Sequence, residues 1–131
     1  MKEKQKISAI IVVHNEEKII KRALESLKDV VDEILILHDG PCTDNTLKIA
    51  GKYTKNVFQT EKNVGVPGPI LPILFRKAKN PWILKIDADE FLSKDMKKNV
   101  KNLVQKSERE NEFERTHYNC SMWEYDTSRK Y

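Results

Sequence analysis

Four short apolar runs punctuate the chain, and the segments between most of them carry helical spacing. Ile7–Val13 (ISAIIVV) is broken only by Ser8 and is mostly β-branched, which predicts a strand buried on both faces. From Glu16 to about Lys28, Ile19, Ile20, Ala23, Leu24 and Leu27 recur at helical spacing, with acids first and lysines after. Asn15 is the expected N-cap. A second run, Ile34–Leu37, follows Val30–Val31 and stops at the turn residues His38-Asp39-Gly40-Pro41. A second helix, capped by Thr43 or Asp44, is expected through Leu47, Ile49 and Ala50 to near Tyr53. Val57–Gln59 is a weaker third strand. Residues 63–72 hold three prolines and two glycines, a loop that opens a helix from about Ile70 to Lys79. Trp82–Ile86 is the fourth strand. Ser93 or Lys94 then starts a helix with Met96, Val100, Leu103 and Val104 on one face. Residues 106–115 are polar and extend or follow it, and 116–125 alternates loosely, as a further strand would.

Strands alternating with helices predict an α/β fold with a largely parallel sheet. A length of 131 residues suits a single domain spanning 1–131. Two cysteines, Cys42 and Cys120, are too few for a disulfide scaffold or a thiolate-only zinc site, and Cys42 reads as incidental. The net charge of +4 comes from 24 basic and 20 acidic residues that are interspersed, which argues against a nucleic-acid partner. No apolar run approaches the roughly 18–20 residues a membrane-spanning helix needs. The basic start MKEKQK is not followed by a signal-peptide core. The expectation is a cytoplasmic protein, with peripheral contact at the inner membrane face compatible with its charge.

Ligands of open α/β sheets bind outside the carboxyl ends of the strands. Here the first strand ends in His14-Asn15-Glu16, the second in His38-Asp39-Gly40 and the fourth in Asp87-Ala88-Asp89-Glu90. Asp87 and Asp89, two apart in extended chain, share one face and suit Mg²⁺ or Mn²⁺. Like charges about 4 Å apart repel by about 4 kcal/mol at an effective dielectric near 20, a cost that a divalent ion reverses. Helix capping plus a solvated acid is the structural alternative. Asp39 is open to two readings: an acceptor for a ligand N–H such as the imide of uracil, or a plain Asp-Gly turn. His14 either contacts a base or merely ends its strand. Trp82 and Trp123 suit a core or a cleft wall.

The segments IIVVHNEEKIIKRALESL, ILILHDGPCTDNTLKIAGKY and WILKIDADEFLS, in this order and spacing, resemble the nucleotide-binding half of a family 2 glycosyltransferase with the GT-A fold. The resemblance is strongest over residues 7–96 and extends to lipopolysaccharide-core and other surface-glycan transferases, in which Glu90 also follows the DxD. It implies inverting transfer of a sugar from a nucleotide-sugar, usually a UDP-sugar, to a hydroxyl of a glycan or lipid-linked acceptor. It assigns His14, Asn15 and Glu16 to the nucleoside pocket, Asp39 (with Gly40) to the base, and Asp87 to the ribose and metal. Asp89 becomes the direct metal ligand, and Asp44 a helix cap. Members often carry a basic residue and an asparagine after the Asn-x-Gly that Asn63–Gly65 matches; here no charge occurs until Arg76.

The resemblance also implies that residues 97–131 are the start of an acceptor half, truncated before the catalytic base. Glu124 and Asp126, the acids nearest the end, read as exposed. An unfinished sheet edge after residue 125 would favour self-association. The alternative function is a nucleotide-sugar-binding fragment or subunit without chemistry. A phospho-receiver domain fits poorly, because the first strand ends in His-Asn and the third in Gln59-Thr60.

Overall fold

The computed structural model describes residues 7–109 and 124–125. The order is β1 (Ile7–Val13), α1 (Ile20–Leu27), β2 (Glu33–His38), α2 (Thr46–Ala50), β3 (Val57–Gln59), α3 (Leu71–Lys77), β4 (Trp82–Lys85), β5 (Glu90–Phe91), α4 (Lys94–Arg109) and β6 (Glu124–Tyr125). β1 to β4 form a parallel sheet in the order β3-β2-β1-β4. β5 and β6 pair antiparallel in a separate two-stranded sheet.

β1 lies between β2 and β4, which is why its sequence is apolar almost throughout. Side-chain alternation divides it between two layers. Ile7, Ala9, Ile11 and Val13 join the core beneath α1, α2 and α4, where Leu24, Ala50, Met96 and Val100 are buried. Ile10 faces the other side, with Leu35, Leu37 and the α3 residue Leu74. Ile10, Ile11, Leu24, Leu35, Ile36 and Leu74 are fully buried, each contributing roughly 1.5–3 kcal/mol relative to an exposed side chain.

Several boundaries differ from the sequence expectation. α1 begins at Ile20, four residues later than Glu16. Asn15 does not cap it: this residue has φ 47°, in the left-handed region, and the amides of Ile19 and Ile20 turn onto the Glu16 carbonyl. α2 ends at Ala50, and the amides of Lys52, Tyr53 and Thr54 finish in turns. α3 spans Leu71–Lys77, shorter than expected, with Pro72 in its first turn. α4 starts at Lys94, one of the two expected starts, and the Ser93 hydroxyl just ahead of it accepts the Met96 amide at 3.2 Å. β5 is a strand the periodicity did not predict. Of the strand expected over 116–125, Glu124–Tyr125 is described and pairs back onto Phe91 and Glu90; the remainder, with Trp123, Cys120 and Asp126, lies outside the described residues. Among the described residues no helix is long and apolar enough to cross a membrane.

Candidate functional site

β1, β2 and β4 run parallel, so their carboxyl ends bring the three polar exits to one edge of the sheet. The first two exits are laced together. The Asn15 amide donates to His38 Nε2 at 3.0 Å, and the Asn15 side chain both accepts from the Thr43 amide and donates to the Thr43 hydroxyl, each at 2.9 Å. The Glu16 amide donates to Thr46 Oγ1 at 2.7 Å, and the Glu17 amide to Asp44 Oδ2 at 3.3 Å. The residues after β1 are therefore shaped by the loop after β2, and His14, Asn15 and Glu16 form a braced ledge.

His38 is the residue that sequence reasoning missed. It is wholly buried, and its Nδ1 lies 2.7 Å from the Gly40 carbonyl while Nε2 accepts the Asn15 amide. A carbonyl only accepts, so the neutral Nδ1–H tautomer satisfies both partners. His14, by contrast, is exposed, and its Nδ1 donates to the Asp39 carbonyl at 2.7 Å.

Asp39 is 4% exposed and does not present an unengaged carboxylate. Its two oxygens accept the amides of Val64 and Gly65 at 2.6 and 2.8 Å. The sequence left a ligand contact and a turn both open for this residue, and in the structure the carboxylate organises a second turn 25 residues downstream. Gly40 adopts φ +79°, and a Cβ there would sit 2.8 Å from Asn63 Cα, so this position needs glycine on two counts.

Asp44 stands two residues ahead of α2, before Asn45, which takes the N-cap position in place of the expected Thr43 or Asp44, and it accepts the amide of Thr46 at 2.9 Å and its hydroxyl as well. Burial pushes its carboxyl up, but the bonds from Thr46, the Glu17 amide and the Cys42 thiol outweigh this and hold it below its ordinary 3.8. A carboxyl depressed in the folded state stabilises it above the unfolded value, and that contribution is lost as pH falls through the folded one. The stability difference between wild type and Asp44→Asn should therefore shrink as pH is lowered from 5 to 3, the region around 3.8. Urea unfolding across that range tests this; a difference independent of pH would contradict it.

At the third exit, Ile86 and Ala88 turn into the core and Asp87 and Asp89 turn away from it, as the spacing predicted. The chain then doubles back: the Glu90 amide donates to the Asp87 carbonyl at 3.0 Å, and the Asp87 amide to Glu90 Oε1 at 2.8 Å. This adds Glu90 to the pair. One carboxylate oxygen from each of Asp87, Asp89 and Glu90 lies within 4.8 Å of the others. Glu90 is buried, and its carboxyl is pushed up by that burial first; the Asp87 amide opposes the shift, while the charges of Asp87 and Asp89 add to it. Lys85 Nζ, 3.6 Å from Asp87 Oδ1, offsets part of the negative charge. An all-oxygen set of three hard donors this close fits Mg²⁺ or Mn²⁺. Ser26 fixes the cluster to α1, accepting the Leu92 amide at 3.0 Å, and Arg22 lies 4.0 Å over the Phe91 ring.

A parallel sheet with braced loops and an acidic turn at its carboxyl edge is the frame of a nucleotide-binding α/β domain. Residues 8–128 match the family model of glycosyl transferase family 2, and the chain belongs to that family. An uncharacterized glycosyltransferase of Rickettsia bellii is 37% identical over 102 residues, covering 73% of this chain and 32% of the relative. The poly(ribitol-phosphate) beta-N-acetylglucosaminyltransferase TarS of Staphylococcus aureus is 30% identical over 103 residues, covering 72% of this chain and 18% of TarS. The solved structure of S. aureus TarS 1-349 in complex with UDP superposes with a TM-score of 0.68 at 28% identity, over 79% of this chain and 33% of that one. The fold is GT-A, as the resemblance implied. The chain spans a third or less of the length of these relatives.

Proposed function

We propose that this chain is the donor-binding part of an inverting glycosyltransferase that moves a sugar from a UDP-sugar to a hydroxyl of a cell-envelope glycan or lipid-linked acceptor. The observation that carries the reading is the Asp87-Asp89-Glu90 cluster, at the same sheet edge as the ledge at residues 14–16, in a chain of this family. The UDP complex of TarS supports the nucleotide, and the polymer in the name of TarS supports the acceptor class.

On this reading Asp87 and Asp89 hold the divalent ion, with Glu90 behind them. When bound, the ion supplies positive charge against the diphosphate that leaves as the glycosidic bond breaks. The nucleoside lies along His14, Asn15 and Glu16, whose backbone is held rigid by Thr43, Thr46 and His38. A base beyond the acidic cluster takes the proton of the acceptor hydroxyl.

Calorimetric titration of the chain with UDP, with and without Mn²⁺, tests the proposal. UDP should bind, and Mn²⁺ should tighten binding by roughly tenfold or more, about 1.4 kcal/mol per factor of ten. No binding under either condition would overturn it.

A further inference from the structure

Charges that are interspersed along the sequence are sorted by the fold. α1, α2 and α4 pack on the side of the sheet that Ile7, Ala9, Ile11 and Val13 face, and α3 packs on the other. Residues 16–29, 44–53 and 93–105, which form the first layer and its lead-ins, hold ten lysines and arginines against six acids. The other described residues between 7 and 105 hold six against seven. The excess positive charge of the described residues therefore lies on the outer face of one helical layer.

Three of these lysines share one groove. It encloses about 380 Å³ between the lead-in to α1 and the outer side of α2, and is lined by Glu17, Lys18, Asn45, Lys48, Ile49 and Lys52. All three lysines are exposed. The acids close by are engaged with the fold. Glu17 Oε2 accepts the Asn45 amide at 3.0 Å, and Asp44 holds Thr46. Glu25 accepts the Tyr53 hydroxyl at 2.6 Å and pairs with Lys28 at 3.5 Å, so α1 is tied to the chain that follows α2. Three cations round one concavity repel one another, and an anion seated among them reverses that cost. The large exposed apolar side chains among the described residues, Val64, Val66 and Phe75, belong to α3 and the loop before it. The basic layer thus offers charge without an apolar wedge to insert into a bilayer, and without an exposed aromatic ring on which a nucleic-acid base could stack.

We propose that the outer face of α1, α2 and α4 docks on an anionic phospholipid surface, with the groove of Lys18, Lys48 and Lys52 seated on the headgroup phosphates. The match is one of charge: each lysine held near such a surface strengthens binding by about fivefold. Lysine suits it, as a compact point charge on a flexible stem that follows a fluid array of phosphates. Docked in this way, the chain holds the carboxyl edge of the sheet beside the lipid, because the groove begins at Glu17, next to the ledge at 14–16. The proposal does not depend on the UDP-sugar reading, and the two are measured separately.

Sedimentation with vesicles tests this on the full chain and on two triple variants that lower the net charge equally. One is Lys18→Gln with Lys48→Gln and Lys52→Gln; the control is Lys62→Gln with Arg76→Gln and Lys79→Gln. All six side chains are exposed, so both variants should keep the fold, and urea unfolding checks that they do. Wild type should bind vesicles of equal parts phosphatidylglycerol and phosphatidylcholine, ignore phosphatidylcholine alone, and be released at about 1 M salt, where screening acts within about 3 Å. The groove variant should lose roughly tenfold or more of its partition into the anionic vesicles, and the control roughly threefold or less. On wild type itself, anionic vesicles should shield the amines of Lys18, Lys48 and Lys52 from acylation and leave those of Lys62 and Lys79 reactive. Equal losses in the two variants, or groove lysines that stay reactive, would overturn the proposal. So would tighter binding to duplex DNA than to anionic vesicles at equal phosphate and salt. A wild-type chain that ignores anionic vesicles would overturn it whether or not UDP binds.

Discussion

Asp89→Ala should abolish the increment that Mn²⁺ adds to UDP binding. Ile86 and Ala88 are buried at 1% and 4% exposure, which fixes Asp87 and Asp89 on the opposite, outward face. The reciprocal turn from Asp87 to Glu90 then closes three carboxylates on one volume. Loss of a group that merely orients a ligand typically lowers metal affinity about 10–100-fold, and loss of a ligand itself should lower it by at least that. The substitution also removes a like charge beside Glu90, whose carboxyl burial already pushes up and to which the neighbouring acids add. Asp95→Ala, an exposed acid in the first turn of α4, is the control and should keep the Mn²⁺ response. An Asp89→Ala chain that keeps its Mn²⁺ dependence would remove Asp89 from the site.

His38→Leu should lower the unfolding free energy by about 2–4 kcal/mol. Leucine fills much of the volume but leaves the buried Gly40 carbonyl and the part-buried Asn15 amide without these partners. Each unsatisfied buried group costs about 1–3 kcal/mol. Domains of this kind are stable by only about 5–15 kcal/mol, so the loss is a large share. Asn15 also sits at φ 47°, a conformation its backbone bond to His38 helps to hold. The ledge at 14–16 should therefore loosen, and UDP affinity should fall with stability. Urea unfolding and UDP titration on one preparation check both effects. A variant as stable as wild type would show that the two groups find other partners.

The acidic turn was legible in the sequence because its logic is local. β4 ends at Lys85, and the buried Ile86 and Ala88 just beyond it leave Asp87 and Asp89 on the outward side. Glu90 stands next to them in sequence, but its part in the cluster depends on the Asp87–Glu90 turn and on β5 and the bond from Leu92 to Ser26, 66 residues away. Asp39 carries the same lesson. Asp-Gly signals a turn, and the turn is there, yet its carboxylate serves a second turn that no nearby residue announces. Asn15 is a favourable N-cap by type, but its amide and side chain find better partners in His38 and Thr43, and the helix starts later.

The β-branched apolar runs, their alternation with helices, the family and the acids after the fourth strand can all be read from the residues alone. Hydrophobic periodicity and backbone propensity act over a few residues and are written in composition. Three features come from long-range packing instead: the sheet order β3-β2-β1-β4, the burial of His38 rather than His14, and the bonds of Asp39 to Val64 and Gly65. The last two turn on hydrogen bonds between residues 23 to 26 positions apart, and the sheet order on strand pairs as far apart as Ile7 and Trp82. Their partners are chosen by parallel strand pairing, which carries to one edge groups that share no local pattern.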